Sequence, residues 1–170
     1  MPFSRETGTL LRIKNGQFSL DGVQHQLSLN DFGNGLRNHL HGGVRSYDRL
    51  NWNTSLLDTG DGVVFSILDP DGSEGYPGNL VSSVTYRLAG KCELEIEISA
   101  STDEATVVNI SNHVYFNLRG HGAGWEGLQD HKLQINAENF TPDDEEYLPT
   151  GSLLTDNKYF SGNLAFRRDL

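Results

Sequence analysis

The stretch NLVSSVTYRLAGKCELEIEISAST, residues 79–102, indicates the fold class of this chain of 170 residues. Two runs rich in β-branched and apolar residues flank Gly90, which predicts a β-hairpin. After the turn, apolar side chains alternate with glutamates, and alternate side chains of a strand point to opposite faces. We expect the glutamates to face solvent, where they discourage edge pairing, and Cys92 to lie on the apolar core face.

Similar strand patterns recur along the chain. QFSLDGVQHQLSL, residues 17–29, predicts two strands joined at Asp21-Gly22, a dipeptide typical of hairpin turns. Residues 50–72 predict two more strands around a glycine-containing turn, and residues 131–140 alternate again. We find no convincing amphipathic helix and no internal repeat. The expected fold is therefore all-β, a sandwich or barrel, in a single domain over residues 1–170.

The composition excludes several classes of function. A net charge of −10 argues against nucleic acid or an anionic membrane as partner, because both require a basic surface. No apolar run reaches the roughly 20 residues needed to span a bilayer. A single cysteine excludes an intramolecular disulfide framework, and the first residues lack the apolar core of a signal peptide. These features predict a cytosolic protein.

The segment VVNISNHVYFNLRG, residues 107–120, raises the first functional question. Written as one extended strand, it has an apolar core face and a second face that is polar but uncharged. The polar row consists of Asn109, Ser111, His113, Tyr115 and Asn117. Neutral donors and acceptors on a rigid strand suit a ligand covered in hydroxyl groups, although His113 could equally be a hydrogen-bonded structural histidine.

A second segment, NHLHGGVRSYDRLNW, covers residues 38–52. His39 and His41 could present two ligands to one metal ion, as in cupins, or could be loop histidines without function. A cupin requires a carboxylate four or five residues after the second histidine, and those positions are Arg45 and Ser46. We therefore expect no metal. Hydrolysis by a serine nucleophile is also disfavoured, since DGSEG lacks the first glycine of the nucleophile elbow.

Three separated motifs together resemble the aldose 1-epimerases, also called galactose mutarotases. NHLHGG with the following YDRLNW is similar to that family's Asn-x-Leu-His-Gly-Gly segment. PDGSEGYPGNL resembles its Asp-Gly-Glu-Glu-Gly-Tyr-Pro-Gly-Asn-Leu run, and NISNHVYFNLRG its Asn-His-Ser/Thr-Tyr-Phe-Asn-Leu segment. The resemblance covers residues from about 10 to 155, and implies a galactose-mutarotase-like β-sandwich that is truncated at both ends.

The resemblance also implies a chemistry and its residues. His113 matches the general acid that protonates the sugar ring oxygen, and His41 matches a second histidine that contacts the same region. Arg12 matches an arginine that holds sugar hydroxyls, while Leu11 replaces the family's neighbouring asparagine. We also expect Asn38 and Tyr115 to contact substrate, a monosaccharide such as galactose or glucose, with no cofactor.

The family's catalytic base is a glutamate near the C-terminal end, and no glutamate of this chain stands in a matching segment. Two alternatives follow. The chain could be a non-catalytic sugar-binding relative, or a hexose-6-phosphate 1-epimerase in which Arg37, Arg45 and Arg49 serve a phosphate.

Overall fold

A computed structural model describes residues 3–5, 12–32, 35, 37–129, 131–137, 139–155 and 164–166. The chain divides into two compact units, Met1–Asn112 and His113–Leu170. Most of the regular secondary structure among the described residues is strand, which confirms the all-β class. The strands are β1 (Phe3–Arg5), β2 (Arg12–Lys14), β3 (Gln17–Leu20), β4 (Val23–Gln26), β5 (Asn38–Leu40), β6 (Asn53–Leu56), β7 (Gly62–Asp69), β8 (Leu80–Ala89), β9 (Glu93–Thr102), β10 (Ile110–Asn112), β11 (Leu133–Ile135) and β12 (Leu164–Phe166).

A four-stranded antiparallel sheet of order β6-β7-β8-β9 forms the largest part of the first unit. It contains both hairpins predicted over residues 50–102. In the middle of β9 the expected alternation holds, because Ile96 and Ile98 pack against the core while Glu93, Glu95 and Glu97 are exposed. Leu94 and Ala100, which were expected on the same buried face, are exposed. The sequence therefore predicted the strand pairing of this arm and the central part of its buried face.

Three smaller antiparallel pairs complete the first unit. β3 pairs with β4 through the predicted turn, in which Asp21 and Gly22 both have positive φ angles, 51° and 80°. Two consecutive left-handed residues are what a two-residue type I′ turn requires. β2 pairs with β5, and β1 pairs with β10.

Two apolar clusters hold these strands together. The larger one lies on the four-stranded sheet and consists of Tyr47, Ile67, Leu80, Val84 and Tyr86. The smaller one joins Ile13 of β2 to Leu27 and Tyr76. Tyr76 is only 1% exposed, so the glycine-rich segment around it is anchored in the protein interior.

The structure corrects the prediction of one long strand over residues 107–118. β10 contains only Ile110–Asn112, and these three residues pair with Arg5, Ser4 and Phe3 of β1. Residues 113–118 belong to no strand, and two members of the expected core face are exposed, Phe116 at 55% and Leu118 at 84%. Periodicity alone had assigned them to a core.

The structure also corrects the placement of Cys92. In the β8–β9 register Ala89 pairs with Glu93, so Cys92 falls in the connecting turn and its thiol is free and exposed. The strand begins one residue after it, and the apolar alternation extended past the end of the strand.

The second unit contains a short α-helix, α1 (Gly124–Leu128), and a parallel pair formed by β11 and β12. Isolated bridges join Phe140 to Leu154 and Asp143 to Pro149. In the part of the chain that is described, no helix combines the length and apolar character needed to cross a bilayer.

Candidate active site

The β2–β5 pair positions three of the five residues that the sequence analysis selected. Arg12 lies opposite Leu40, the residue before His41, and Ile13 lies opposite His39. Residues directly opposite each other share one face of a ladder. Ile13 and His39 take the face that packs on Tyr76, so Arg12 and Asn38 lie on the other face.

His39 is a structural histidine. It is completely buried, its ring contacts Tyr76 edge to face at 5.5 Å, and its Nδ1–H donates to the carbonyl of Ser28 at 2.7 Å. Burial is the main reason why the pKa of His39 lies below its ordinary value, and the Ser28 carbonyl and the Glu74 carboxylate oppose that shift only in part. The imidazole is therefore held neutral inside the unit.

His41 adopts a different backbone conformation from His39. It follows the last residue of β5 and has φ +57°, in the left-handed region, and its side chain is half-buried. This conformation ends the strand alternation that would have placed both imidazoles on one face. Among the described residues no group of three or more His, Cys, Asp or Glu side chains could hold a metal ion.

Asp31 fixes the position of Arg12. The Arg12 Nε–H donates to Asp31 Oδ2 at 2.7 Å, and both side chains are largely buried, 19% and 11% exposed. A charge-assisted hydrogen bond of this length in a protected position holds the guanidinium in one direction.

Asn38 is more enclosed than the sequence analysis expected. It is 1% exposed, and its Oδ1 accepts a hydrogen bond from the backbone N–H of Asn15 at 3.2 Å. Within the described residues its buried Nδ2 has no hydrogen-bond partner. The Asn38 side chain thus joins the β2–β3 turn to β5, and its Nδ2 is a further hydrogen-bond donor on the strand that pairs with β2.

Sequence reasoning missed Glu74. Its carboxylate accepts hydrogen bonds from the backbone N–H groups of Val44 at 3.0 Å and Arg45 at 2.8 Å, in the segment that follows the His41-Gly42-Gly43 turn. Its place in PDGSEGYPGNL was the available signal, because that motif was selected without assigning its glutamate a task.

His113 and Tyr115 belong to the second unit. His113 is half-buried, and its ring lies 5.0 Å from that of Tyr115 with the planes tilted by 33°. Tyr115 itself is 84% exposed. The preceding residue, Asn112, ends β10 and donates through Nδ2 to the hydroxyl of Tyr86. His113 is thus the first residue after a strand end that a buried tyrosine holds in place.

A cavity of about 580 Å³ opens on the four-stranded sheet of the first unit. Its lining is mainly aromatic and apolar, with Tyr47, Trp52, Phe65 and Tyr86 among its members. None of the five selected residues is among the described residues that line it. The candidate site is therefore defined by the side chains that the sequence motifs selected and not by this cavity.

Comparisons with known proteins bear on the same residues. The family model for aldose 1-epimerase matches residues 8–164. The galactose mutarotase of Sus scrofa is 44% identical over 142 residues, which are 84% of this chain and 39% of that protein. The aldose 1-epimerase of Escherichia coli K12 is 37% identical over 143 residues, again 84% of this chain and 39% of its own length.

A solved structure agrees on the fold. The crystal structure of a GalM/aldose epimerase homologue from C. elegans superposes with a TM-score of 0.71 at 27% identity, over 88% of this chain and 43% of that one. The expected mutarotase-like fold is thereby confirmed. This chain spans about two fifths of the length of the curated relatives it matches. With its three motifs, the family-model match and the shared fold, the chain belongs to the aldose 1-epimerase family.

Proposed function

We propose that this chain carries the proton-donating and sugar-holding part of an aldose 1-epimerase that interconverts the α and β anomers of hexoses such as galactose and glucose. The main support is the β2–β5 pairing, which brings Arg12 opposite the residue that precedes His41. A cationic hydrogen-bond donor and an imidazole at adjoining positions can together bind sugar oxygens.

The proposed reaction is an acid–base ring opening. A proton goes to the ring oxygen, O5, while the C1 hydroxyl loses one, and the C1–O5 bond breaks to give an open-chain aldehyde. Rotation about C1–C2 and the reverse steps then give the other anomer. Histidine suits the donor role because the ordinary pKa of its side chain lies close to neutral pH. We assign this role to His113.

The remaining roles concern binding. His41 is proposed to hydrogen-bond the sugar near O5, and Arg12, oriented by Asp31, to hold ring hydroxyls. Asn38 is proposed to contribute its spare Nδ2 donor. Tyr115, whose ring lies beside that of His113, is proposed to cover one face of the sugar.

The catalytic base is proposed to be a glutamate outside these 170 residues, since no glutamate of the chain stands in the corresponding family segment. The acid alone would leave little activity. No cofactor or metal is assigned to the reaction. A cytosolic location remains our proposal, and the free, exposed Cys92 thiol is compatible with a reducing compartment.

The test is mutarotation of α-galactose and α-glucose followed by polarimetry. We would compare the 170-residue chain with a chimera in which the C-terminal part of the Sus scrofa galactose mutarotase follows it. The chimera is expected to be active and the chain alone almost inactive.

In the chimera, His113→Asn should lower kcat by about a hundredfold or more, the usual contribution of a positioned acid. His121→Asn, at an exposed histidine of the same unit, is the matched control and should leave kcat unchanged. Equal losses in both variants, or none in either, would contradict the role of His113.

A further inference from the structure

The turn after β5 has an unusual backbone. His41, Gly42 and Gly43 have successive φ angles of +57°, +75° and +108°, and the N–H of Gly43 donates to the carbonyl of Leu40 at 3.1 Å. A residue other than glycine rarely adopts a positive φ, and when it does the surrounding structure must stabilise that backbone conformation. The orientation of the His41 imidazole therefore depends on whatever holds this turn.

The Glu74 carboxylate binds the backbone immediately after this turn. One carboxylate oxygen accepts the N–H of Val44 and the other accepts the N–H of Arg45. Hydrogen bonds to an ionised carboxylate are the stronger kind. The hydroxyl of Ser28 donates to the same carboxylate at 3.4 Å, and Ser28 also binds His39 through its carbonyl. Glu74 thus connects the turn to the buried histidine.

The packing around Gly43 shows how closely the turn and Glu74 fit. A Cβ on Gly43 would overlap Glu74 Oε2 and lie 2.6 Å from its carboxyl carbon. No side chain fits there while the carboxylate keeps its place, so the glycine is required by the contact as well as by its φ. The carboxylate lies directly against the backbone of the turn.

Glu74 is itself held in an uncommon conformation. It has φ +50° inside the 3₁₀ turn Ser73–Gly75, and Tyr76, the residue after this turn, is buried against His39 and Phe18. A strained backbone residue persists only where its surroundings determine it. Two left-handed turns, one carrying His41 and one carrying Glu74, therefore meet at a single carboxylate.

We propose that Glu74 is a positioning residue for His41: its carboxylate, bound to the N–H groups of Val44 and Arg45, fixes the left-handed turn that presents the imidazole to the sugar. This inference rests on the proposed function and extends it, because the residue acts through the turn and touches neither substrate nor the reacting atoms. Both carboxylate oxygens are occupied by backbone donors, which also argues against Glu74 as the missing base.

The test uses the 170-residue chain and two NMR readouts. The first is amide hydrogen exchange at Val44 and Arg45. Glu74→Ala should speed both by about tenfold or more, and Glu74→Gln, which keeps one carbonyl oxygen, should speed one amide more than the other. Glu97→Ala, at an exposed strand glutamate of the same unit, is the control and should change neither.

The second readout is the shift of the His41 ring signals on titration with galactose. Glu74→Ala should weaken this response by about tenfold, and Glu74→Gln should restore part of it. Unchanged amide exchange in Glu74→Ala would overturn the contact itself. Faster exchange with an unchanged galactose response would overturn the positioning role. A chain that shows no galactose response before any substitution would refute the proposed function, while amide exchange still decides the contact.

Discussion

Replacing Gly43 by alanine should destabilise the first unit by an amount that can be apportioned. An L-residue at φ +108° costs about 1–2 kcal/mol in backbone energy. The new Cβ must also displace the Glu74 carboxylate, which ends its hydrogen bonds with Val44 and Arg45. A hydrogen bond to a charged group usually contributes roughly 1.5–3 kcal/mol to stability. For each of these two bonds we use about 1 kcal/mol, because Val44 and Arg45 are exposed and water can replace the carboxylate. The expected total is about 3–4 kcal/mol.

Gly22→Ala is the matched control. Gly22 has φ +80° in the β3–β4 turn, and a Cβ there would meet no atom within 4 Å. Gly22→Ala should therefore lower the free energy of unfolding only by the backbone contribution, about 1–2 kcal/mol. Urea unfolding followed by Trp52 fluorescence measures both variants, because Trp52 packs on Tyr47 in the core of the first unit. Trp125→Phe removes the signal of the exposed tryptophan in the second unit.

A double-mutant cycle identifies the cause. In a Glu74→Ala background the obstruction at Gly43 is gone, so Gly43→Ala should cost about 2 kcal/mol less than it does in the unaltered chain. If Gly43→Ala costs the same in both backgrounds, the contact between the turn and Glu74 does not determine the requirement for glycine, and the reasoning is refuted.

Three further predictions follow from the same unit. The pKa of His39 is lowered in the folded chain, so its stabilising contribution is present above the unfolded value of 6.5 and is lost as the pH falls below it; urea midpoints at pH 7.5 and 5.5 should differ less in His39→Gln. Leu80→Ala, at a completely buried residue, should lower the free energy of unfolding by about 2–5 kcal/mol, whereas Leu88→Ala, at a residue 68% exposed, should change it by about 0.5 kcal/mol or less. Asp31→Asn should weaken galactose binding by loosening Arg12, as measured by titration calorimetry on the chimera, and an unchanged affinity would contradict the orienting role of that ion pair.

Local patterns predicted much of the fold correctly. Asp21-Gly22 gave the right turn because both residues accept the positive φ that a two-residue hairpin requires. The alternation in β9 predicted the central part of its buried face, because a strand with paired neighbours on a packed sheet has only two faces for its side chains. In these segments the residues that determine the conformation are close together in the sequence.

The same alternation failed where a distant partner determines the strand. The alternation around His113 covers residues 108–118, but β10 contains only Ile110–Asn112, the residues that pair with Phe3–Arg5 of β1. Cys92 was misplaced for a related reason, since the β8–β9 register and not the apolar spacing decides where the turn lies. The length of an apolar alternation in the sequence therefore does not give the length of the strand that forms.

Long motifs were enough to identify the family and to select the candidate histidines and Arg12, because such motifs carry that information without reference to contacts. The folded structure was needed to tell which of the two neighbouring histidines is structural. His39 and His41 are chemically identical and two residues apart, yet one is enclosed by Tyr76 and Ser28 while the other occupies a left-handed turn. Tyr76 and Glu74 both lie more than thirty residues away in sequence: Tyr76 packs against His39, and the Glu74 carboxylate binds the backbone just beyond the turn that carries His41. A contact between distant segments forms only when the chain is folded, so no pattern local to the histidines could have revealed it.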